Sequence, residues 1–93
     1  MTNLLKQPDS SDEFIRWLFK GRCIMCNHSA TEINEIIPRS RSKNSLLDWK
    51  NRVMICRSCH TEFHSDGVTL NKIVNMQQKR KEFLKSIGRE DYI

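Results

Sequence analysis

Two short stretches decide the fold of this chain: residues 23–26, which read Cys-Ile-Met-Cys, and residues 56–59, which read Cys-Arg-Ser-Cys. Paired Cys-x-x-Cys motifs in one small chain are typical of a zinc site, in which each turn offers two thiolates to a tetrahedral ion. The spacing therefore predicts a structural Zn²⁺ bound by Cys23, Cys26, Cys56 and Cys59.

Disulfide bonds and redox chemistry are the alternatives for these cysteines. Disulfides belong mainly to secreted proteins, and the N-terminal residues Met-Thr-Asn-Leu-Leu-Lys lack the apolar stretch of about seven residues that a signal peptide needs. A thioredoxin-like redox pair needs one Cys-x-x-Cys, whereas this chain has two. We therefore expect a cytoplasmic, reducing location and thiols that are free to bind metal.

The size and net charge of the chain indicate what kind of domain and what kind of partner to expect. A chain of 93 residues, of which 38% are hydrophobic, is near the size at which a single core needs reinforcement by a metal, disulfides or a partner. The 16 Lys and Arg exceed the 11 Asp and Glu, which gives a net charge of +5. This charge suits a polyanion such as DNA or RNA, although a merely soluble basic protein has the same balance. The sequence contains no long apolar span, so we expect no insertion into a membrane.

Local patterns predict one domain over residues 9–93, preceded by a flexible tail at 1–8. Residues 10–13 (Ser-Ser-Asp-Glu) resemble a capping box, with Ser10 as the N-cap of a first helix whose aromatic side chains enter the core. Loose alternation predicts a short strand at 31–37 that Pro38 ends, and a second at 52–55. Between them, residues 39–51 have the composition of a polar, basic loop.

Two further helices are predicted in the C-terminal half. The first contains Cys59 and His64 and ends near Gly67. The second covers residues 69–87, and its apolar face consists of Leu70, Ile73, Val74, Phe83, Leu84 and Ile87.

His60 and His64 are the most informative pair after the cysteines. Residues four apart on a helix project from one face, so both imidazoles can reach one divalent ion. Alternatively, His60 packs against the zinc site and His64 faces solvent. The spacing alone does not decide between these interpretations.

The surrounding motifs resemble those of the HNH endonuclease family. In order, they are the first Cys-x-x-Cys, then residues 35–40 (Glu-Ile-Ile-Pro-Arg-Ser), then residues 49–51 (Trp-Lys-Asn), and last residues 56–64 (Cys-x-x-Cys-His-x-x-x-His). The resemblance implies a small α+β fold of the ββα-metal type with its core at 23–66, flanked by an N-terminal and a C-terminal helix. It also implies hydrolysis of phosphodiester bonds in DNA with the help of a divalent ion.

The resemblance assigns roles to individual residues. The metal ligands would be Asn34, His60 and His64, the general base would be Glu35, and Asn51 would order the loop between the strands. Active members usually have Asp-His or His-His where this chain has Asn34-Glu35. An amide oxygen is a weaker ligand than a carboxylate for a hard ion, and a carboxylate is a poorer proton acceptor than a histidine at neutral pH. We therefore expect slowed catalysis, unless Glu35 itself binds the metal.

Basic residues follow the first strand and precede the second. The substrate-facing residues would be Arg39, Arg41, Lys43, Lys50 and Arg52, which can pair with phosphates. They can also be read as a solvated loop. The run at 79–81 (Lys-Arg-Lys) on the last helix can be read as a salt-sensitive contact to the DNA backbone or as the solvated face of a helix that packs against the core. We expect packing, with modest contact to the DNA backbone.

Two functions follow. The first is an HNH-type DNA endonuclease that uses structural Zn²⁺ and catalytic Mg²⁺, Mn²⁺ or Ni²⁺, in a setting such as a phage or mobile element. The second is a weakened or inactive HNH-like zinc module that binds DNA or regulates a partner protein. A purely structural zinc ribbon would not need the two histidines.

Overall fold

A computed structural model describes residues 6–41 and 48–93 of the chain. Five main elements follow one another: helix α1 (Asp12–Phe19), strand β1 (Glu32–Glu35), strand β2 (Arg52–Ile55), helix α2 (Arg57–His64) and helix α3 (Leu70–Ser86). Short 3₁₀ turns lie at Trp49–Asn51 and Glu90–Tyr92. The predicted α+β architecture, two short strands and a helix with a further helix on each side, is confirmed.

The two strands form an antiparallel hairpin in which Glu32 lies opposite Ile55 and Glu35 lies opposite Arg52. Val53, Met54 and Ile55 of β2 are fully buried, so this strand lies at the centre of the core. Helix α1 packs on β2 and helix α2 packs on β1. Helix α2, which contains both histidines, therefore lies next to β1.

Helix α1 begins one residue later than the sequence predicts. Ser11, and not Ser10, is the N-cap, because its side-chain oxygen accepts a hydrogen bond of 3.0 Å from the backbone N–H of Phe14. This shift places Glu13 too early in the helix to complete a capping box. Asp12 and Glu13 instead lie in the first turn, where their charges favour the positive end of the helix. Phe14, Ile15, Leu18 and Phe19 are buried, which confirms that the apolar side chains of this helix enter the core.

The apolar face of α3 differs from the predicted one. Leu70 and Val74 are 65% and 55% exposed, whereas Met76 and Arg80 are buried. The buried stripe runs through residues 73, 76, 80, 83 and 84, a spacing of three and four that keeps one side of a helix facing the core. Val74 lies about 100° away from Ile73 around the helix axis and so falls outside this stripe.

Arg80, the middle residue of the basic run at 79–81, is a structural residue, in agreement with the expected packing of this helix. Its guanidinium donates to the carbonyl oxygens of Tyr92 at 2.8 Å and Ile93 at 3.5 Å, and lies over the Trp49 ring at 5.6 Å. Only 4% of the residue is exposed. Arg80 therefore joins the last turn of the chain to the core.

In the part of the chain that the structure describes, no helix is both long and apolar enough to span a bilayer. The division into a tail at 1–8 and a domain at 9–93 stays a prediction, and residues 1–5 lie outside the described ranges.

Candidate metal and active site

The four cysteine sulfurs converge, as their spacing predicts. All four lie within 4.8 Å of one another, and the Sγ atoms of Cys26 and Cys56 are 3.6 Å apart. Tetrahedral zinc with Zn–S bonds of about 2.3 Å places its sulfurs about 3.8 Å apart. Cys23 is buried and Cys26 is exposed, so the cluster joins the core to the surface. A soft donor set of four thiolates at these distances fits Zn²⁺.

The backbone of both turns prepares the cysteines for this role. In the first turn, the backbone N–H of Cys23 donates to the carbonyl of His28 at 2.8 Å, and Asn27 has a positive φ of 67°, a conformation that Asn tolerates better than most residues. In the second, Cys56 is the N-cap of α2. The Cys59 N–H hydrogen bond to the Cys56 sulfur lowers the pKa of Cys56 to about 7, and burial raises the pKa of Cys59. The thiolate of Cys56 is thus favoured at the helix N-terminus.

Strand β1 and helix α2 face each other with matching repeats. Two residues along a strand advance about 6.6 Å, and four residues along a helix advance about 6.0 Å. Glu32 and Asn34 therefore meet His60 and His64 in turn. The Glu32 Oε1 lies 2.7 Å from the Nδ1 of His60, and the Asn34 Oδ1 lies 3.2 Å from the Nε2 of His64.

The pair formed by Asn34 and His64 has the geometry of two neighbouring ligands. Two donor atoms about 2.1 Å from an octahedral ion, at a right angle, lie about 3 Å apart. The observed 3.2 Å between Oδ1 and Nε2 fits this separation. The rings of His60 and His64 are 4.9 Å apart between centroids, so His60 lies beside the same position. Burial and the nearby positive charges of His60 and Lys72 lower the pKa of His64, which favours the neutral imidazole that a metal needs.

Apart from the cysteines, residues 6–41 and 48–93 contain no compact group of three or more Cys, His, Asp or Glu side chains that could hold an ion. Glu35 therefore does not form a compact carboxylate–imidazole triad with His60 and His64. An ion at this position would rely on two imidazoles, the neutral oxygen of Asn34, and water or phosphate.

Glu32 is a site residue that the sequence interpretation missed. Its carboxylate contacts His60 on one side and the Nε of Arg57 at 3.2 Å on the other. The hydrogen bond with His60 and the charge of Arg57 lower the pKa of Glu32. Because the Nδ1 of His60 is bound to Glu32, its Nε2 is left for a ligand. The sequence does contain a signal for Glu32. Side chains alternate between the two faces of a strand, so residue 32 lies on the same face of β1 as Asn34.

Glu35 lies at the end of β1 and lines an open cleft of 340 Å³. Asn34, His60, His64, Arg39 and Arg52 also line this cleft. The Oε1 of Glu35 is 3.6 Å from the Nε of Arg39, and its side chain is 25% exposed. Glu35 therefore borders the space beside the Asn34–His64 pair and carries a positively charged neighbour.

Asn51 is buried at the end of the turn before β2. Its Oδ1 accepts from the backbone N–H of Ile37 at 2.9 Å, and its Nδ2 donates to the carbonyl of Ile37 at 3.1 Å. The backbone carbonyl of Asn51 also accepts from Ile36 at 2.8 Å. These hydrogen bonds join the turn before β2 to the segment that follows β1.

The basic residues fall into different surroundings. Arg39 is largely exposed beside the cleft, and Lys50 is exposed beside the Trp49 ring. Arg41 donates to the carbonyl of Val68 at 3.2 Å. Arg52 lines the cleft, but its guanidinium is bound to Asp12 and to the carbonyl of Ser10. Lys43 lies outside the described residues.

Comparison with known families gives the same assignment as the motifs. The family model described as HNH endonuclease matches residues 23–66. Residues 23–66, a little under half of the chain, are therefore similar to an HNH endonuclease domain. The match covers both cysteine turns, both strands and α2, and it leaves α1 and α3 outside. Searches of curated proteins and of solved structures found no match.

Proposed function

We propose that this protein is a metal-dependent DNA endonuclease of the HNH type that hydrolyses phosphodiester bonds. The observation that carries the proposal is the convergence of the Asn34 Oδ1 and the His64 Nε2 at 3.2 Å, in a cleft that Glu35 and Arg39 also line. An oxygen and a nitrogen donor beside a carboxylate and an exposed guanidinium are the groups that metal-assisted phosphodiester hydrolysis needs. The net charge of +5 favours a polyanionic substrate.

The residues divide into ligands, base and substrate contacts. Asn34, His60 and His64 would hold Mg²⁺, Mn²⁺ or Ni²⁺, and that ion would supply Lewis-acid stabilisation of the charge that develops on the phosphate. Glu35 borders the cleft, where its carboxylate takes a proton from the attacking water. A carboxylate is a poorer proton acceptor than a histidine at neutral pH, so turnover is slow. Arg39 also remains exposed enough to meet a phosphate, as do Arg41 and Lys50.

The zinc cluster and Asn51 act on the shape of the site. Zn²⁺ bound by the four cysteines would fix the start of α2 relative to the turn at 23–26, and so the position of His60. Asn51 fixes the segment that leaves β1 after Glu35 through its two hydrogen bonds with Ile37. Because zinc binding needs free thiols, the protein would work in a reducing cytoplasm.

A plasmid assay tests the proposal directly. Zinc-loaded protein incubated with supercoiled plasmid and Mg²⁺, Mn²⁺ or Ni²⁺ should produce nicked and linear DNA, and His64→Ala should abolish this activity. His28→Ala is the matched control, because His28 is exposed and lies in the first cysteine turn. A parent protein that leaves the plasmid intact with every ion, or a His64→Ala variant as active as the parent, refutes the enzyme function.

A second function is favoured by the neutral side chain at position 34. Apart from the cysteines, the described residues contain no compact group of three or more Cys, His, Asp or Glu side chains that could hold an ion. An HNH-like module that binds DNA or a partner protein without cleaving is therefore the alternative. Calorimetric titration of the zinc-loaded protein with Mn²⁺ or Ni²⁺ separates the two. Binding that His64→Ala removes supports the endonuclease, and no binding at any accessible concentration supports the non-cleaving module.

A further inference from the structure

Helix α3 lies outside the HNH match, which ends at residue 66, yet it contacts both halves of the candidate ion site. Met76 of this helix reaches Asn34 on β1, and Lys72 reaches the end of α2, where His64 lies. Both contacts come from one face of α3, since residues 72 and 76 are four apart. The same face therefore touches the strand ligand and the helix that bears the imidazole ligand.

Met76 determines which way the amide of Asn34 points. The Asn34 Nδ2 donates to the Met76 sulfur at 3.4 Å, and both residues are buried, with exposures of 3% and 1%. A thioether can accept a hydrogen bond but has no proton to donate. The amide nitrogen is therefore the end that faces Met76, and the amide oxygen is left facing His64. An ion in the cleft thus meets an oxygen donor.

Lys72 holds the other side of the site. Its Nζ contacts the carbonyl oxygens of Phe63 and Gly67, each at 3.1 Å, and of Glu62 at 3.3 Å, and it also contacts the carbonyl of Ser65. The last carbonyls of a helix have no partner within the helix and carry partial negative charge. A single ammonium group thus closes the C-terminal end of α2 and the turn that follows it.

Helix α2 is then fixed at both ends by different groups. Cys56 and Cys59 anchor its first turn in the zinc cluster, and Lys72 anchors its last turn. His64 is the final residue of the helix, where fraying would be greatest without such an anchor. Its imidazole consequently depends on Lys72 more than that of His60 does.

We propose that α3 is a positioning helix for the divalent-ion site, in which Met76 orients the Asn34 oxygen and Lys72 fixes the backbone that carries His64. This inference rests on the proposed ion site and deepens it, because it assigns to a segment beyond the HNH domain the orientation of two ligands. Neither residue would touch the ion or the substrate.

Two variants with matched controls test it. Met76→Leu keeps the volume and removes the sulfur acceptor, and Met54→Leu makes the same change at another buried methionine. Lys72→Met keeps the apolar stem and removes the ammonium, and Lys85→Met does so at an exposed lysine of the same helix. Far-UV circular dichroism and zinc content establish that each variant is folded. Since Met76→Leu conserves volume, we expect it to fold even if Lys72→Met does not.

The readout is the affinity of zinc-loaded protein for Mn²⁺ or Ni²⁺ by calorimetry, together with the ¹⁵N signals of the Asn34 amide and the His64 ring. We expect Met76→Leu and Lys72→Met to lose about tenfold to a hundredfold in affinity, the effect typical of groups that orient metal ligands. The Asn34 amide signal should shift in Met76→Leu and the His64 ring signals in Lys72→Met, with the controls unchanged.

The inference is overturned if folded Met76→Leu binds the ion as the parent does and keeps the Asn34 amide signal, or if the parent binds no second ion. A parent that binds the ion but leaves plasmid intact refutes the endonuclease proposal instead. In that outcome, a loss of affinity in the two variants would still support the role of α3.

Discussion

Removal of zinc is the perturbation with the largest expected effect on this molecule. The cysteine cluster joins the turn at 23–26 to the start of α2, and Cys23 is fully buried in the core. The first turn is also joined to β2, which precedes the second turn, by a hydrogen bond from the backbone N–H of Ile24 to the carbonyl of Met54 at 3.2 Å. The four sulfurs, which lie within 4.8 Å of one another, would then lose the metal–ligand bonds that join the two turns.

The binding free energy of a structural zinc ion can be compared with the free energy of unfolding of the whole domain. Structural zinc sites in small peptides contribute about 10–16 kcal/mol of apparent binding free energy at pH 7, whereas domains of this size unfold with about 5–15 kcal/mol. Loss of the ion is therefore comparable to the entire free energy of unfolding. We expect the zinc-free protein to lose its cooperative thermal transition, and not merely to melt a few degrees lower.

The assay is thermal unfolding followed by circular dichroism, with protein purified under reducing conditions. A strong zinc chelator should abolish the transition, re-addition of Zn²⁺ should restore it, and Cys59→Ser should behave like the chelated parent. Ser58→Ala, a change within the same turn, serves as the control. Elemental analysis that finds no metal, combined with a transition that chelation leaves unchanged, would refute the zinc-centred description of the fold.

Three further predictions concern single side chains. Glu32→Gln should weaken binding of Mn²⁺ or Ni²⁺ to zinc-loaded protein about tenfold to a hundredfold in calorimetry, because the group that orients His60 loses its charge. Asn34→Asp should raise both ion affinity and the rate of plasmid nicking, since a carboxylate is the better ligand for a hard ion, and no gain in either would count against a ligand defect at this position. Arg80→Met should lower the free energy of unfolding by about 1–3 kcal/mol in urea, since it leaves a buried carbonyl unpaired, whereas Lys81→Met should change it by less than about 0.5 kcal/mol.

Much of the HNH core could be predicted from the sequence because its signals are local. Thiol spacing predicts the convergence of the four cysteine sulfurs. The limits of β2 agree with the prediction because a short apolar run directly precedes Cys56. The predicted strand at 31–37 was too long, since β1 ends at Glu35. Two residues later, the backbone N–H and carbonyl of Ile37 form hydrogen bonds with the side chain of Asn51.

The remainder depends on contacts between distant segments, which no local pattern records. Arg80 reads as part of an exposed basic run, and only its hydrogen bonds with the carbonyls of Tyr92 and Ile93 show that it is buried. Likewise, the sequence gives no sign that Lys72 closes the end of α2 or that Met76 accepts a hydrogen bond from Asn34. Lys43 lies outside the described residues, and its expected phosphate contact stays a prediction.

The facing repeats of β1 and α2 explain why position 34 limits this site more than position 35 does. Glu32 and Asn34 share the face of β1 that meets the two histidines, whereas alternation turns Glu35 away from that face, towards Arg39. A carboxylate at position 35 can border the cleft as a base, but it cannot take the place of a ligand between β1 and α2 without a shift of the strand register. Such a shift by one residue would turn the side chains of β1, including the buried Asn34, to the opposite face of the sheet. A substitution at position 34 can therefore give the ion site a negatively charged ligand. A substitution at position 35 instead changes the candidate base and leaves the ligands of the ion unchanged.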